Sequence, residues 1–235
     1  MTTVVGAVLV GGASSRMGTD KALLPLEGAA MAHRVVAALV AGGATAIEVI
    51  GGDPAIARAL DLSDLIDGWG ARDDLWKGIG PIGGLATAVI EARPPATSDP
   101  GPLPANVEAA TAAAARDDVI VVVAACDQPD LTGAVVDSLV QALLGADPTA
   151  VASAVRTADG RRHPFPSAWR AAAGPALAQL VAGGSRRADA AFGIGGVADV
   201  AAPGEALEDL DTPDDVRRWH DRRGPSRPGA PGHRA

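Results

Sequence analysis

The stretch VVGAVLVGG, residues 4–12, is an unbroken apolar run closed by two glycines. A strand exposed on one face alternates apolar with polar residues. A run without polar interruption instead suits a strand covered on both faces, at the centre of a parallel sheet. Working outward, residues 32–40 carry helical spacing and stop at Gly42-Gly43, a C-terminal cap signal. Residues 46–50 return to strand character before Gly51-Gly52. The economical reading is a βαβ unit with a right-handed crossover.

The pattern continues along the chain. Leu65-Ile66-Asp67 reads as a further short strand, and residues 83–92 as a helix started by the Gly80-Pro81 turn. Residues 119–125 give the clearest strand signal, followed by a periodic helix over 131–144 and another strand over 150–155. Strands alternating with helices predict an α/β fold with a mainly parallel central sheet. Residues 93–116 open with RPPATSDPGPLP and read as a Pro/Ala-rich insertion; residues 224–235, GPSRPGAPGHRA, have almost nothing to bury and read as a disordered tail. One domain over residues 1–223 is the resulting expectation.

Composition narrows the function. The 235 residues carry a formal net charge of -8, with no tyrosine and 3% aromatic residues. A nucleic-acid binder normally shows a basic stripe or stacking aromatics, so that class is set aside. A single cysteine, Cys126, forms no internal disulfide and suits a reducing, cytoplasmic setting. No apolar run reaches the ~18 residues of a membrane span, and the residues after Met1 lack the basic region of a secretory signal.

The first strand runs into Leu9-Val10-Gly11-Gly12-Ala13-Ser14-Ser15-Arg16-Met17-Gly18-Thr19-Asp20-Lys21. Small residues let backbone N–H groups approach an anion, Ser14 and Ser15 add hydroxyl donors, and Arg16 and Lys21 bring positive charge. That is a triphosphate cradle, although its spacing is neither that of a P-loop nor GxGxxG. Gly78 to Gly83 is a formal GxGxxG, but no strand is read before it and Pro81 lies inside. A nicotinamide-dependent oxidoreductase is therefore the rival from another class.

The run LVGGASSRMGTDKALLPLEG resembles the signature loop of nucleotidyltransferases with a Rossmann-like three-layer α/β sandwich, specifically the molybdenum cofactor guanylyltransferase family. Gly80-Pro81-Ile82-Gly83-Gly84-Leu85 resembles its GPLxG turn and Ala125-Cys126-Asp127-Gln128-Pro129 its CDxP element. Arg162-His163-Pro164 and Asp209-Leu210-Asp211-Thr212-Pro213 resemble later elements, with Asp209 and Asp211 replacing an asparagine pair. The resemblance implies transfer of GMP from GTP to the phosphate of molybdopterin, with or without molybdenum, and release of pyrophosphate. It implies Mg2+ as cofactor and allows for a cofactor-delivery protein as partner.

On this reading Leu9, Val10, Gly11, Gly12, Ser14, Ser15, Arg16, Lys21, Asp73 and Asp127 contact the nucleotide. Arg16 and Lys21 act in catalysis, Asp127 binds the metal and Asp73 reads guanine. Asp211 either joins the metal or caps the helix that starts at Pro213. Gln128 after Asp127 is a feature of the cytidylyl relatives, so a CTP-dependent enzyme, or one with another phosphorylated acceptor, is the alternative. Of the four histidines, only His163 is placed near the second substrate, by resemblance.

Overall fold

A computed structural model describes residues 2–11, 20–92 and 118–223. The expectations for 93–116 and 224–235, and those for Gly12, Ser14, Ser15 and Arg16, lie outside these residues.

Seven strands form one sheet in the order β5-β4-β1-β6-β8-β7-β9. In chain order they are β1 (Thr3–Leu9), β4 (Ala46–Ile50), β5 (Trp69–Arg72), β6 (Val119–Ala125), β7 (Ala150–Arg156), β8 (Arg162–Arg170) and β9 (Gly196–Val200). Two short strands, β2 (Pro25–Leu26) and β3 (Ala29–Ala30), pair with each other apart from it. β1 lies parallel to β4 on one side and to β6 on the other, whereas β8 runs antiparallel to both of its neighbours. The sheet is thus mainly parallel, as the apolar runs predict.

The central strands are covered on both faces. In β1, Val8 belongs to one core and Val5 and Ala7 to the other; in β6, Ile120 and Val122 alternate in the same way with Val121 and Val123. One face packs against α1 (Met31–Ala41), α2 (Pro54–Leu60) and α4 (Gly133–Gly145), the other against α3 (Pro81–Glu91) and α5 (Gly174–Ala182). The result is a three-layer sandwich. α6 (Pro213–Arg223) closes a smaller cluster in which Trp219 and Leu210 pack on Leu26 and Met31.

One expectation needs correction. Residues 65–67 are not a strand: Leu65 and Ile66 both donate to the Leu62 carbonyl, at 3.0 and 3.1 Å, so the apolar pair closes a turn over buried Leu62. The strand is β5, which also means that a strand does precede Gly78, although residues 73–77 separate them. β8 is a strand for which the sequence raised no expectation, and it contains Pro164 and Pro166. Its ladder to β6 uses residues 167–170, and its ladder to β7 skips from Arg162 to Ser167 across a bulge. Both prolines fall where no ladder N–H is needed.

Candidate functional site

After β1 the chain passes to β4, on one side of β1, while β6 lies on the other. Ligands of open α/β sheets gather at such a switch point, beyond the carboxyl ends of the strands. Here those ends carry Val10-Gly11 and Cys126-Asp127. Val10 is buried and donates to the Ile50 carbonyl at 2.9 Å, and the Leu9 carbonyl accepts from Cys126 N–H at 3.1 Å, so both strand ends are fixed. Gly11 is exposed at φ 109°, and a Cβ there would stand 2.9 Å from the Gly52 backbone nitrogen. Only glycine lets the two loops come so close.

Lys21 opens a short 3-10 turn, capped by Asp20, whose carboxylate accepts from Ala22 N–H at 2.9 Å. Its ammonium lies 3.3 Å from Asp127 Oδ2 and pairs with Asp211. Partial burial alone would lower the pKa of this amine. The hydrogen bond from Asp211 and the charges of Asp127 and Asp211 together outweigh that and raise it, so Lys21 is charged.

The loop carrying Asp209 and Asp211 is tied to the Asp127 loop through the backbone: Leu210 N–H donates to the Asp127 carbonyl at 2.9 Å. α6 holds it from behind. Asp215 N–H donates to Thr212 Oγ1 at 3.2 Å while the Asp215 carboxylate accepts from Thr212 N–H at 2.7 Å, a reciprocal capping box. Trp219 Nε1 donates to Asp130 Oδ2 at 2.9 Å, with the Arg223 guanidinium 4.3 Å from the ring centroid. The helix cap is therefore Thr212, and Asp211 is free to face Lys21.

Asp209 is the residue the sequence reading left out of the site. It is reached by solvent yet crowded by surrounding protein, and this desolvation first, then the charge of Asp127, pushes its carboxyl up to about 6. The signal for it was the repeated acid in Asp209-Leu210-Asp211. With the folded pKa above the usual 3.8, the contribution to stability is complete below the unfolded value and is lost as pH rises through 6. In the metal-free protein, Asp209→Asn is therefore expected to stabilise at pH 7.5, by roughly 1 kcal/mol once solvent screening is allowed for. At pH 4 it should change little. Urea melts at the two pH values check this; equal effects at both would defeat it.

The carboxylates fit a hard divalent cation. Among the described residues no three His, Cys, Asp or Glu side chains form a ready cage. Magnesium seldom needs one: it binds through one or two carboxylates and completes its shell with water and substrate phosphate. Asp127 and Asp211, which both converge on the Lys21 ammonium, could supply such a donor set.

Other sequence candidates take defined places. Cys126 is buried, and burial first, then Asp127, raises its thiol; it packs and is no nucleophile. Gln128 is buried, with its amide donating to the Phe165 carbonyl at 3.1 Å. Asp73 follows β5 at the same edge of the sheet, exposed and 3.2 Å from Lys77. It is not brought into contact with Lys21 or Asp127. Asp74, by contrast, is spent on the fold: its Oδ1 accepts from Trp76 N–H at 2.8 Å and lies 3.1 Å from the Thr87 hydroxyl. Just before Asp73, Arg72 makes a two-pronged pair with buried Glu48, at 2.9 and 3.0 Å, which fixes the approach to that loop. His163 is half-buried, and burial, then Arg161, lower its pKa.

Among the described residues no helix is long and apolar enough to cross a membrane.

Residues 6–193 match the family model described as the MobA-like NTP transferase domain. Molybdenum cofactor guanylyltransferase of Rhodobacter capsulatus is 30% identical over 223 residues, covering 93% of this chain and 96% of the relative. The enzyme of that name from Xanthomonas euvesicatoria pv. vesicatoria (strain 85-10) is 40% identical over 87 residues, but this stretch spans only 37% of the chain and 39% of the relative. The fold is shared with molybdopterin-guanine dinucleotide biosynthesis protein A from Archaeoglobus fulgidus, at TM-score 0.63 and 20% identity over 93% of this chain and 98% of that one. It is shared too with Rv0371c of Mycobacterium tuberculosis H37Rv in complex with manganese, at TM-score 0.58 and 21% identity over 92% and 97%. The glycine loop, the switch-point carboxylates and the near full-length match agree: this chain belongs to the MobA-like NTP transferases, a family of nucleotidyltransferases.

Proposed function

We propose that the chain transfers GMP from GTP to the phosphate of molybdopterin or its molybdenum form, releasing pyrophosphate and forming the guanine dinucleotide cofactor. The observation that carries this reading is the meeting of Lys21, Asp127 and Asp211 at the switch point between β1 and β6. The near full-length likeness to a guanylyltransferase supports the choice of substrates. A reducing cytoplasm suits the single cysteine, and a delivery protein for the cofactor remains part of the proposal.

The acceptor phosphate is already an anion, so no general base is needed. Catalysis then rests on alignment and on neutralising charge at the α-phosphorus. Mg2+, when bound, neutralises phosphate charge and templates the reacting groups. Asp127 and Asp211 would hold it. Lys21, charged and within reach of both carboxylates, is available to the triphosphate as it enters, and Arg16 adds the second cation. Leu9 to Gly12, with Ser14 and Ser15, present donors to the phosphates.

The CTP alternative drew on Gln128. Its side chain is buried and its amide nitrogen donates to the Phe165 carbonyl, which ties it to β8. Asp73 at the free edge keeps a carboxylate for guanine, whose N1–H and N2–H both point at one acceptor pair. GTP is expected over CTP by about 2 kcal/mol, or roughly thirtyfold in kcat/KM, since cytosine would leave that carboxylate facing an acceptor. Pyrophosphate release in competition, with Mg2+ and the molybdopterin acceptor, tests the proposal. Asp73→Ala should shrink the preference more than it slows the reaction. A wild type that favours CTP, or releases no pyrophosphate with any nucleotide, sinks it.

A further inference from the structure

The turn between β5 and α3 is fixed by a set of bonds that leaves two opposite charges outside it. Leu75 N–H donates to the hydroxyl of buried Thr87 at 3.0 Å, Trp76 N–H to Asp74 Oδ1 at 2.8 Å, and Ile79 N–H to the Trp76 carbonyl at 3.1 Å. The turn lies so close to the start of α3 that a Cβ on Gly83 would stand 2.9 Å from the Trp76 carbonyl oxygen. Just before it, Arg72 is held by Glu48 and, at 3.9 Å, by Glu91, both buried.

The turn is also placed against the glycine loop. Gly51 N–H donates to the Arg72 carbonyl at 2.8 Å, and Gly52 is what a Cβ on Gly11 would strike. Gly51-Gly52 thus bridges the loop assigned to the phosphates and the turn that carries Asp73.

None of these bonds uses the side chain of Asp73 or Lys77. Those two pair with each other, Nζ to Oδ2 at 3.2 Å, and both are more than half exposed. An exposed i,i+4 pair adds little to stability. A fixed turn that presents a carboxylate and an ammonium side by side has a chemical use instead. The carboxylate offers two acceptors, and the ammonium, with three N–H bonds, can keep Asp73 and still donate to a third group. Guanine carries the matching order along one edge: N2–H and N1–H donate, and O6 accepts. Adenine sets a donor in place of O6 and an acceptor at N1, so it meets both charges with the wrong partner.

We propose that Lys77 is a specificity-determining residue: its ammonium donates to the 6-oxo group of a purine nucleotide whose N1–H and N2–H are taken by Asp73. This rests on the reading in which Asp73 faces guanine. It adds a second group, and one that selects the oxygen rather than the two donors.

The test uses the full chain with Mg2+ and no acceptor, so that nucleotides bind without transfer. Affinities for GTP, ITP and 6-thio-GTP are measured by calorimetry. ITP lacks only the 2-amino donor, and 6-thio-GTP replaces only the oxygen, with a weaker acceptor. Wild type should prefer GTP over 6-thio-GTP by about fivefold or more. Lys77→Met should bring that ratio to within about twofold of unity while leaving the GTP to ITP ratio at its wild-type value, and Lys77→Arg, which keeps a cationic donor, should restore most of the preference. An unaltered melting temperature verifies that the fold is kept. A wild type that binds GTP and 6-thio-GTP alike, or a Lys77→Met protein that keeps the wild-type ratio, overturns the proposal. So does an equal loss for all three nucleotides, which is the mark of a charge acting on the triphosphate or of a turn that has lost its shape. Asp73→Ala tests the underlying reading separately, because the GTP to ITP ratio should collapse there. If that ratio survives, the assignment of Asp73 to guanine falls, while the 6-thio-GTP ratio in Lys77→Met still decides whether Lys77 reads the oxygen.

Discussion

Asp127→Asn is expected to lower kcat by at least a hundredfold, about 2.7 kcal/mol in barrier, while leaving the melting temperature within a few degrees. The side chain sits past the end of β6 with roughly a fifth of its surface exposed, so the amide fits the same space. What changes is charge. Lys21 loses one of its two carboxylate partners, and the cation site is left to Asp211, whose side chain is 59% exposed and cannot exclude water from a metal. The loop itself should stay in place, because it is held by the backbone bond from Leu210 to the Asp127 carbonyl and by the buried Gln128 amide, neither of which uses the carboxylate. Thermal melts run beside pyrophosphate release separate the two effects. Activity within threefold of wild type, under about 0.7 kcal/mol, would remove Asp127 from the metal.

How far the chain can be read without its fold depends on what each segment must satisfy. β1, β4, β6 and β7 are legible because burial on two faces demands an uninterrupted apolar run. The edge strands β5, WGAR, and β9, GVADV, each have only one neighbour and carry mixed sequences with no such demand. β8 was hidden by prolines that its bulged register makes harmless. Leu65-Ile66 showed the opposite failure: two adjacent apolar residues state that something is buried, not whether a strand or a turn buries it. For the site, Lys21 and Asp127 were readable from local context, a cation closing a glycine loop and an acid at the end of a strong strand. That Asp211 meets Lys21 across 190 positions was not, because the contact exists only once α6 docks through Trp219 on Asp130.

Lys21→Ala should cost more than any other single cation among the described residues of the site, and more in kcat than in KM. A charged hydrogen bond to a phosphate oxygen contributes about 1.5–3 kcal/mol, so kcat/KM falls by roughly tenfold to above a hundredfold. Where the loss appears depends on when the contact is made. Before nucleotide binds, the ammonium is already occupied by Asp127 and Asp211. A ground-state bond to phosphate would have to replace those pairs and would gain little net affinity, whereas the extra negative charge that develops during transfer favours the ammonium further. The variant should therefore bind a non-hydrolysable GTP analogue within about fivefold of wild type while kcat drops. Its carboxylates, no longer neutralised, repel one another at low ionic strength, so a modest rise in affinity for Mg2+ alone should accompany the loss of rate. Measured together by steady-state kinetics and metal titration, a fall in kcat with retained or tighter metal binding supports Lys21 at the transition state. A rise in KM at unchanged kcat assigns it to ground-state binding, and no change in either parameter removes it from the phosphates altogether.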